Sequence, residues 1–233
     1  MARRSDPAAY DPASEPARSE TGDSWGAIMR DARTGTLGIF APLLILIGVM
    51  WAVHVVNFFG AGWLSSSLGL RPRSLDGLVG VVFAPLLHGG WTHLIGNSVA
   101  LLLLGAIAAA VTGRLLRITA AVWLLGTAVL WVIGTPGVHI GASILVYGFA
   151  TFLVVYGWAT RRPLPLLAAL LVLAGYLVPF LVGLLPQSGI SWTGHLAGAA
   201  GGVIAALGST RQIRADREHR RALKYAKKLE KHR

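Results

Sequence analysis

Residues 91–112 read WTHLIGNSVALLLLGAIAAAVT, a run without a single charged side chain. A helix needs about 20 apolar residues to cross the roughly 30 Å hydrocarbon core of a bilayer. The run therefore predicts a membrane-spanning helix. Two polar side chains near its start, His93 and Asn97, are four residues apart and would lie on one face of that helix.

Five further apolar stretches have a similar length, so six spans are predicted. The whole chain is 54% hydrophobic and only 13% charged, whereas soluble domains are about 25% charged. The sequence therefore predicts an all-α polytopic membrane protein. The predicted spans cover residues 37–59, 91–112, 115–133, 140–158, 164–185 and 190–207.

Two tails flank the predicted membrane domain, residues 35–210, and a long loop separates its first two spans. Residues 1–34 are rich in Ala, Ser, Pro and charged residues and are predicted to form a disordered tail. Residues 211–233 form a basic tail that could be helical and could bind anionic lipid headgroups. The stretch GLVGVVFAPLL (77–87), between the first two spans, is too short to cross and contains Pro85. We expect it to lie partly in the membrane.

The position of the positive charge predicts the orientation of the chain. The net charge is +11, and 10 of the 21 Lys and Arg residues lie in the tail 211–233. Because these basic residues follow the last predicted span, they are expected to mark one side of the membrane and not to bind nucleic acid. The connections after the second and fourth spans carry Arg residues, whereas those after the third and fifth carry none. Basic residues mark the cytoplasmic side. The sequence thus predicts a cell-membrane protein with both termini in the cytoplasm.

Missing residue types exclude several kinds of site. The chain has no Cys, which excludes disulfides and a cysteine nucleophile. Between residues 34 and 210 the only carboxylate is Asp76, so an intramembrane aspartyl protease is excluded and a proton-driven carrier is disfavoured. A zinc site of His88, His93 and His195 is conceivable, but the first two would point about 140° apart on one helix. No metal and no cofactor is predicted.

A serine and a histidine stand in stretches of small residues. Ser143 follows Gly141 and Ala142, and His195 lies in WTGHLAGAAGG (192–202), where glycine recurs every four residues. Small residues let helices approach closely, so the two side chains could meet as a nucleophile and its base. The alternative is that these polar residues only form hydrogen bonds between helices.

Three motifs, in order along the second, fourth and sixth predicted spans, resemble the rhomboid family of intramembrane serine proteases. They are HGGWTHLIGN (88–97), GAS (141–143) with Tyr147 four residues further on, and GHLAG (194–198). The resemblance to the bacterial type of this family implies a bundle of six transmembrane helices with a membrane-embedded first loop. It implies a serine-type endopeptidase that cleaves transmembrane segments of single-span membrane proteins.

The resemblance also assigns roles to individual residues. Ser143 would be the nucleophile and His195 the general base, in a dyad without an acidic third member. His93, Asn97 and the backbone N–H of Ser143 would form the oxyanion hole. The supporting positions would be His88, Tyr147, Gly141 and Gly198.

One position departs from the family pattern. A glycine usually follows the serine in this family, whereas this chain has Ile144. We expect Ile144 either to fill space near the substrate's side-chain pocket or to press on a neighbouring span. The alternative function is therefore a catalytically inactive rhomboid-like protein that binds membrane clients. His139 matches no motif position and is expected to be a loop residue at the outer interface.

Overall fold

Helices form almost all of the regular structure in the computed structural model, which describes residues 36–187 and 189–230. The predicted tail, residues 1–34, lies outside these residues, whereas residues 211–230 continue the last helix. The first loop contains two short helices and two short 3₁₀ turns, Asp76–Val79 and Ala84–Leu86. The helices are α1 (Thr36–Phe59), α2 (Trp63–Leu68), α3 (Gly80–Phe83), α4 (Trp91–Thr112), α5 (Leu115–Ile133), α6 (Ser143–Thr160), α7 (Pro163–Gly183) and α8 (Trp192–Glu230).

Five of the described helices, α1, α4, α5, α6 and α7, are long and apolar enough to cross a membrane. The all-α polytopic fold is therefore confirmed. The sixth predicted span, residues 190–207, corresponds to the first half of α8 and is not among these apolar helices. Glycines and His195 lower its hydropathy, since glycine adds almost no apolar surface. The same glycines are what allow α8 to pack inside the bundle.

Helix α6 occupies the centre of the bundle. Its membrane segment is 61% buried, against 22–44% for the other four apolar helices. It packs against α8, α7, α4 and α5. A Cβ atom at Gly198 of α8 would lie 2.2 Å from the carbonyl oxygen of Ile144, and one at Gly202 would lie 2.0 Å from that of Gly148. Only glycine permits these approaches, so the small-residue face of α8 meets α6 as predicted.

Hydrogen bonds from side chains to backbone carbonyls, in both directions, hold the first loop against α5. The indole N–H of Trp123 donates to Val81, and that of Trp131 donates to Ser74, both at 3.0 Å. The guanidinium of Arg73 donates to the carbonyl oxygen of Val132 at 2.9 Å. These bonds satisfy backbone carbonyls that an irregular segment would otherwise leave unpaired at membrane depth.

The fourth span begins three residues later than predicted, at Ser143 instead of Ile140. His139 and Leu70 exchange two backbone hydrogen bonds, at 2.8 and 3.0 Å, which draw this segment out of a helical path. Gly141 has a φ of +117°, which L-residues rarely adopt. Ser143 is therefore the first residue of α6.

Candidate active site

A cavity of about 930 Å³ lies where α4, α6 and α8 begin. Its lining brings together five of the residues predicted to form the site. The cavity has both polar and apolar walls, and it is bordered by the end of the first loop and by the connections before α6 and α8. The predicted site residues in its lining are Ser143, His195, His93, Asn97 and Tyr147.

Ser143 combines a hydroxyl with the amino end of a buried helix. The first N–H groups of an α-helix have no partner within the helix. In α6 the carbonyl of Ala142 accepts from Leu145 and Val146, at 2.8 and 3.1 Å. The N–H of Ser143 precedes these bonds and lies at the positive end of the helix dipole. Negative charge that develops beside Ser143 would be stabilised there.

The ring of His195 is held on two sides. Its Nδ1 lies 2.7 Å from the carbonyl oxygen of Gly183. Because a carbonyl can only accept, Nδ1 carries the proton and Nε2 keeps the lone pair. The ring of Tyr147 stacks on the imidazole, with centroids 4.1 Å apart and planes 7° from parallel. These contacts fix both the tautomer and the plane of the ring.

The Tyr147 hydroxyl reaches the last turns of α7. It donates to the carbonyl oxygens of Pro179 and Phe180, at 3.4 and 3.3 Å. The stacking contact between Tyr147 and His195 is therefore anchored to the same helix end that supplies the Gly183 carbonyl.

Ser143 and His195 are both described, and no hydrogen bond joins them. Ser143 is partly exposed in the cavity wall. Catalytic hydrogen bonds are often long in unliganded enzymes and shorten when a substrate binds. One cavity therefore contains the Ser143 hydroxyl and an oriented His195 ring, with no hydrogen bond between them in this structure.

Asn97 is oriented by His88. The Asn97 side-chain amide donates to Nε2 of His88 at 3.1 Å, and Nδ1 of His88 donates to the carbonyl of Leu86 at 3.3 Å. His88 is fully buried. Burial and, to a smaller extent, the neighbouring His93 lower the pKa of His88 to about 3, so it remains a neutral acceptor. The second N–H of the Asn97 amide is left for the cavity.

His93 is wedged against Gly141. A Cβ atom at Gly141 would lie 2.6 Å from Cε1 and 2.8 Å from Nε2 of the His93 ring. The ring also meets His88 edge-on, with centroids 5.1 Å apart. Gly141 thus lets the chain before Ser143 pass directly beside His93.

Ile144 points away from the large cavity. Its side chain is 3% exposed and lies against Gly126 of α5, where an added Cβ would come within 3.1 Å of Ile144 Cγ1. Of the two expectations for this residue, the geometry supports pressure on a neighbouring span. A small void bordered by Ser143 also touches Ile144.

Sequence reasoning missed three participants. The carbonyl of Gly183 orients His195, and a main-chain acceptor has no side-chain signature. His139 lies in a loop, as expected, but its side chain is buried and its Nδ1 is bonded to Ser191. A serine just before an apolar helix is a recognisable N-cap signal, so Ser191 could have been found. Within the described part of the chain, no three His or carboxylate side chains are placed to hold a metal ion.

Comparison with known proteins finds one matching family model and several related sequences. The model of the Rhomboid domain matches residues 76–212, more than half of the chain. The chain is also 37% identical over 175 residues to uncharacterized proteins of Mycobacterium bovis and Mycobacterium tuberculosis, covering 70% of this chain and 72% of each relative. It is 35% identical over 173 residues to an uncharacterized protein of Mycobacterium leprae, covering 70% of this chain and 68% of the relative.

The matched region contains the cavity and every residue of the predicted site. It begins in the first loop and ends in α8. With its bundle of apolar helices, the chain is a multi-pass membrane protein, and it belongs to the rhomboid family, whose members are generally intramembrane serine proteases.

Proposed function

We propose that this protein is an intramembrane serine endopeptidase that cleaves transmembrane segments of other membrane proteins. Ser143 is the nucleophile and His195 is the general base. The observation that carries the proposal is the state of His195, whose Nδ1 proton is fixed on Gly183 while Nε2 keeps a lone pair in the cavity of Ser143. A lone pair in that position is what a general base for the serine requires.

The reaction follows from these positions. Nε2 of His195 takes the proton of the Ser143 hydroxyl as Oγ attacks the scissile carbonyl. The oxyanion that forms accepts hydrogen bonds from the Ser143 N–H, the free Asn97 N–H and His93. The imidazolium then returns its proton to the leaving amine, which breaks the peptide bond. Water from the cavity hydrolyses the acyl-enzyme by the same steps, with His195 again as the base.

The proposed substrates are single-span membrane proteins, cut where the helix is weak enough to unwind into the cavity. An extended strand is needed there because a helical peptide bond hides its carbonyl in its own hydrogen bond. We also propose that the protein resides in the cell membrane with both termini cytoplasmic. Contact of the basic tail, residues 211–233, with anionic lipid headgroups remains a prediction.

The position of Ile144 bears on the inactive alternative. That role as a client-binding protein would be favoured by a side chain that blocks Ser143, and Ile144 lies instead against Gly126. The site therefore remains open to a substrate.

The proposal is tested with a fluorophosphonate probe on the purified protein. Wild type should be labelled and should cleave a transmembrane model substrate. Ser143→Ala and His195→Ala should each lose both activities while the thermal midpoint of unfolding stays close to that of wild type. Ser66→Ala removes a serine of the first loop that does not line the cavity, and it should label normally. Binding of clients by a wild type that neither labels nor cleaves would refute the proposal.

A further inference from the structure

A second serine–histidine pair lies in the wall of the same cavity. Nδ1 of His139 and Oγ of Ser191 are 2.5 Å apart. Nε2 of His139 lies 2.7 Å from the carbonyl oxygen of Thr135, and that oxygen can only accept. The proton of the neutral ring is therefore on Nε2, and Nδ1 accepts the hydroxyl proton of Ser191.

Ser191 is also the N-cap of α8. Its Oγ accepts from the N–H of Gly194 at 3.2 Å, and its carbonyl accepts from the N–H of His195 at 3.0 Å. Each of the two polar groups of Ser191 is thus bonded to the first turn of the helix that carries His195. Donation of its hydroxyl proton to His139 fixes the rotamer in which Oγ faces Gly194.

His139 is fixed at the other end of the link. Its backbone is paired with Leu70 of the first loop, and its side chain is 6% exposed. It lies four residues before Ser143, just as Ser191 lies four residues before His195. Thr135 adds a parallel contact, since its hydroxyl lies 3.2 Å from that of Thr193.

We propose that the hydrogen bond between Ser191 and His139 sets the separation of Ser143 and His195. This inference rests on the proposed function of that site. The pair joins the chain segment that leads into the nucleophile to the helix turn that carries the base. Since Ser143 and His195 are not themselves bonded in this structure, their separation depends on such links outside the dyad. His139 and Ser191 are positioning residues, and neither is assigned contact with the reacting atoms.

The effect of losing this link should appear in the chemical step. A misplacement of about 1 Å between reacting groups can cost about 100-fold in rate. His139→Ala and Ser191→Ala should each lower kcat on a transmembrane substrate by about 10–100-fold, with KM changed less than about threefold. The rate of probe labelling at Ser143 should fall in parallel. Because the two residues act through one bond, the double variant should be no slower than the slower single variant.

Two substitutions at His139 separate its two bonds. His139→Asn places Oδ1 near the position of Nδ1, so it can accept from Ser191 but loses Thr135. His139→Gln places its amide near Nε2, so it can donate to Thr135 but loses Ser191. The Asn variant should keep most of kcat, and the Gln variant should resemble Ala. Ser191→Thr keeps the hydroxyl, so it should retain most of the wild-type kcat that Ser191→Ala loses. These variants serve even where the alanine variants fail to fold.

A matched control loses a helix-end hydroxyl far from the cavity. Thr112 at the end of α4 bonds Ala108 and the N–H of Arg114. Thr112→Val should change the thermal midpoint as much as Ser191→Ala does, and leave kcat unchanged. The positioning role would be overturned if kcat were equal in wild type and His139→Ala, or if the losses in kcat multiplied in the double variant. Either result would leave the proposed function standing. A wild type that never labels at Ser143 would instead overturn the proposed function.

Discussion

His195 has a main-chain carbonyl at the position where a Ser-His-Asp triad has a carboxylate. The Gly183 oxygen fixes the tautomer and the ring plane as an aspartate would. It carries only a partial charge, however, so it stabilises the imidazolium less than a carboxylate does. No carboxylate occurs in the apolar helices of this chain, and burying one there would be costly. The carbonyl avoids the cost of burying a carboxylate in the membrane, but it stabilises a charged His195 ring less. We therefore expect slow turnover.

Asn97 is the clearest single-residue test of the oxyanion hole. One of its N–H groups is bonded to His88, and the other is available to the cavity. Asn97→Ala should lower kcat by about 10–1000-fold with little change in KM, since the lost donor acts mainly in the transition state. Steady-state kinetics on a transmembrane substrate measure both constants. A variant with unchanged kcat and a raised KM would place Asn97 in substrate binding.

Gly141 offers a test that separates backbone strain from contact. Gly141→Ala imposes an L-residue at a φ of +117° and drives Cβ into the His93 ring. Gly137→Ala imposes similar strain at a φ of +129° with no atom within 4 Å. Backbone strain should cost each variant about 1–3 kcal/mol of stability, and Gly141→Ala should lose more because its Cβ also meets His93. Only Gly141→Ala should also reduce probe labelling, by about tenfold or more. Equal rates of probe labelling in Gly141→Ala and Gly137→Ala would mean that His93 is not part of the proposed oxyanion hole.

At the scale of elements, the sequence predicted most of the bundle. The bounds of α4 and α5 are confirmed to the residue, because Gly113 and Gly134 end two strongly apolar helices. The start of α6 was misplaced because the pairing of His139 with Leu70 joins residues far apart in sequence. The small residues around Ser143 and His195 indicated that these side chains could approach each other, and both line one cavity. The Gly183 carbonyl and the bond of His139 to Ser191 could not be predicted, since each depends on which helix ends meet.

Substitution of Ile144 tests how closely the helices of the core pack. Its side chain fills the space above Gly126, and its backbone touches Gly198, so α5, α6 and α8 meet at this residue. Truncating a buried Ile in a packed core typically costs about 2–5 kcal/mol. Ile144→Gly should therefore lower the thermal midpoint and leave the cleavage-site preference unchanged. Cleavage of a substrate series with varied side chains checks this point. A broadened preference at an unchanged midpoint would mean that Ile144 borders the substrate pocket.

In the whole molecule, three helices, α4, α6 and α8, run in the same direction away from the cavity. The starts of α4, α6 and α8 all border the cavity, so their other ends lie away from it. Those other ends carry the charge: Arg114 follows α4, Arg161 follows α6, and α8 runs on into the basic segment from Arg211. The face opposite the cavity is therefore the basic face. Because basic segments stay in the cytoplasm, the cavity should open toward the outer side.

Reporter fusions test this orientation. Green fluorescent protein fused after Arg233 should fluoresce, and alkaline phosphatase at the same point should be inactive, since each folds on only one side of a bacterial inner membrane. Fusions truncated after Gln187, in the uncharged connection between α7 and α8, provide the matched control and should give the reverse pattern. The two positions flank α8 alone, so their opposite signals would also establish α8 as a span despite its low hydropathy. Identical signals at both positions would mean that α8 does not cross. Opposite signals with phosphatase active after Arg233 would turn the cavity, and the water that hydrolysis needs, toward the cytoplasm.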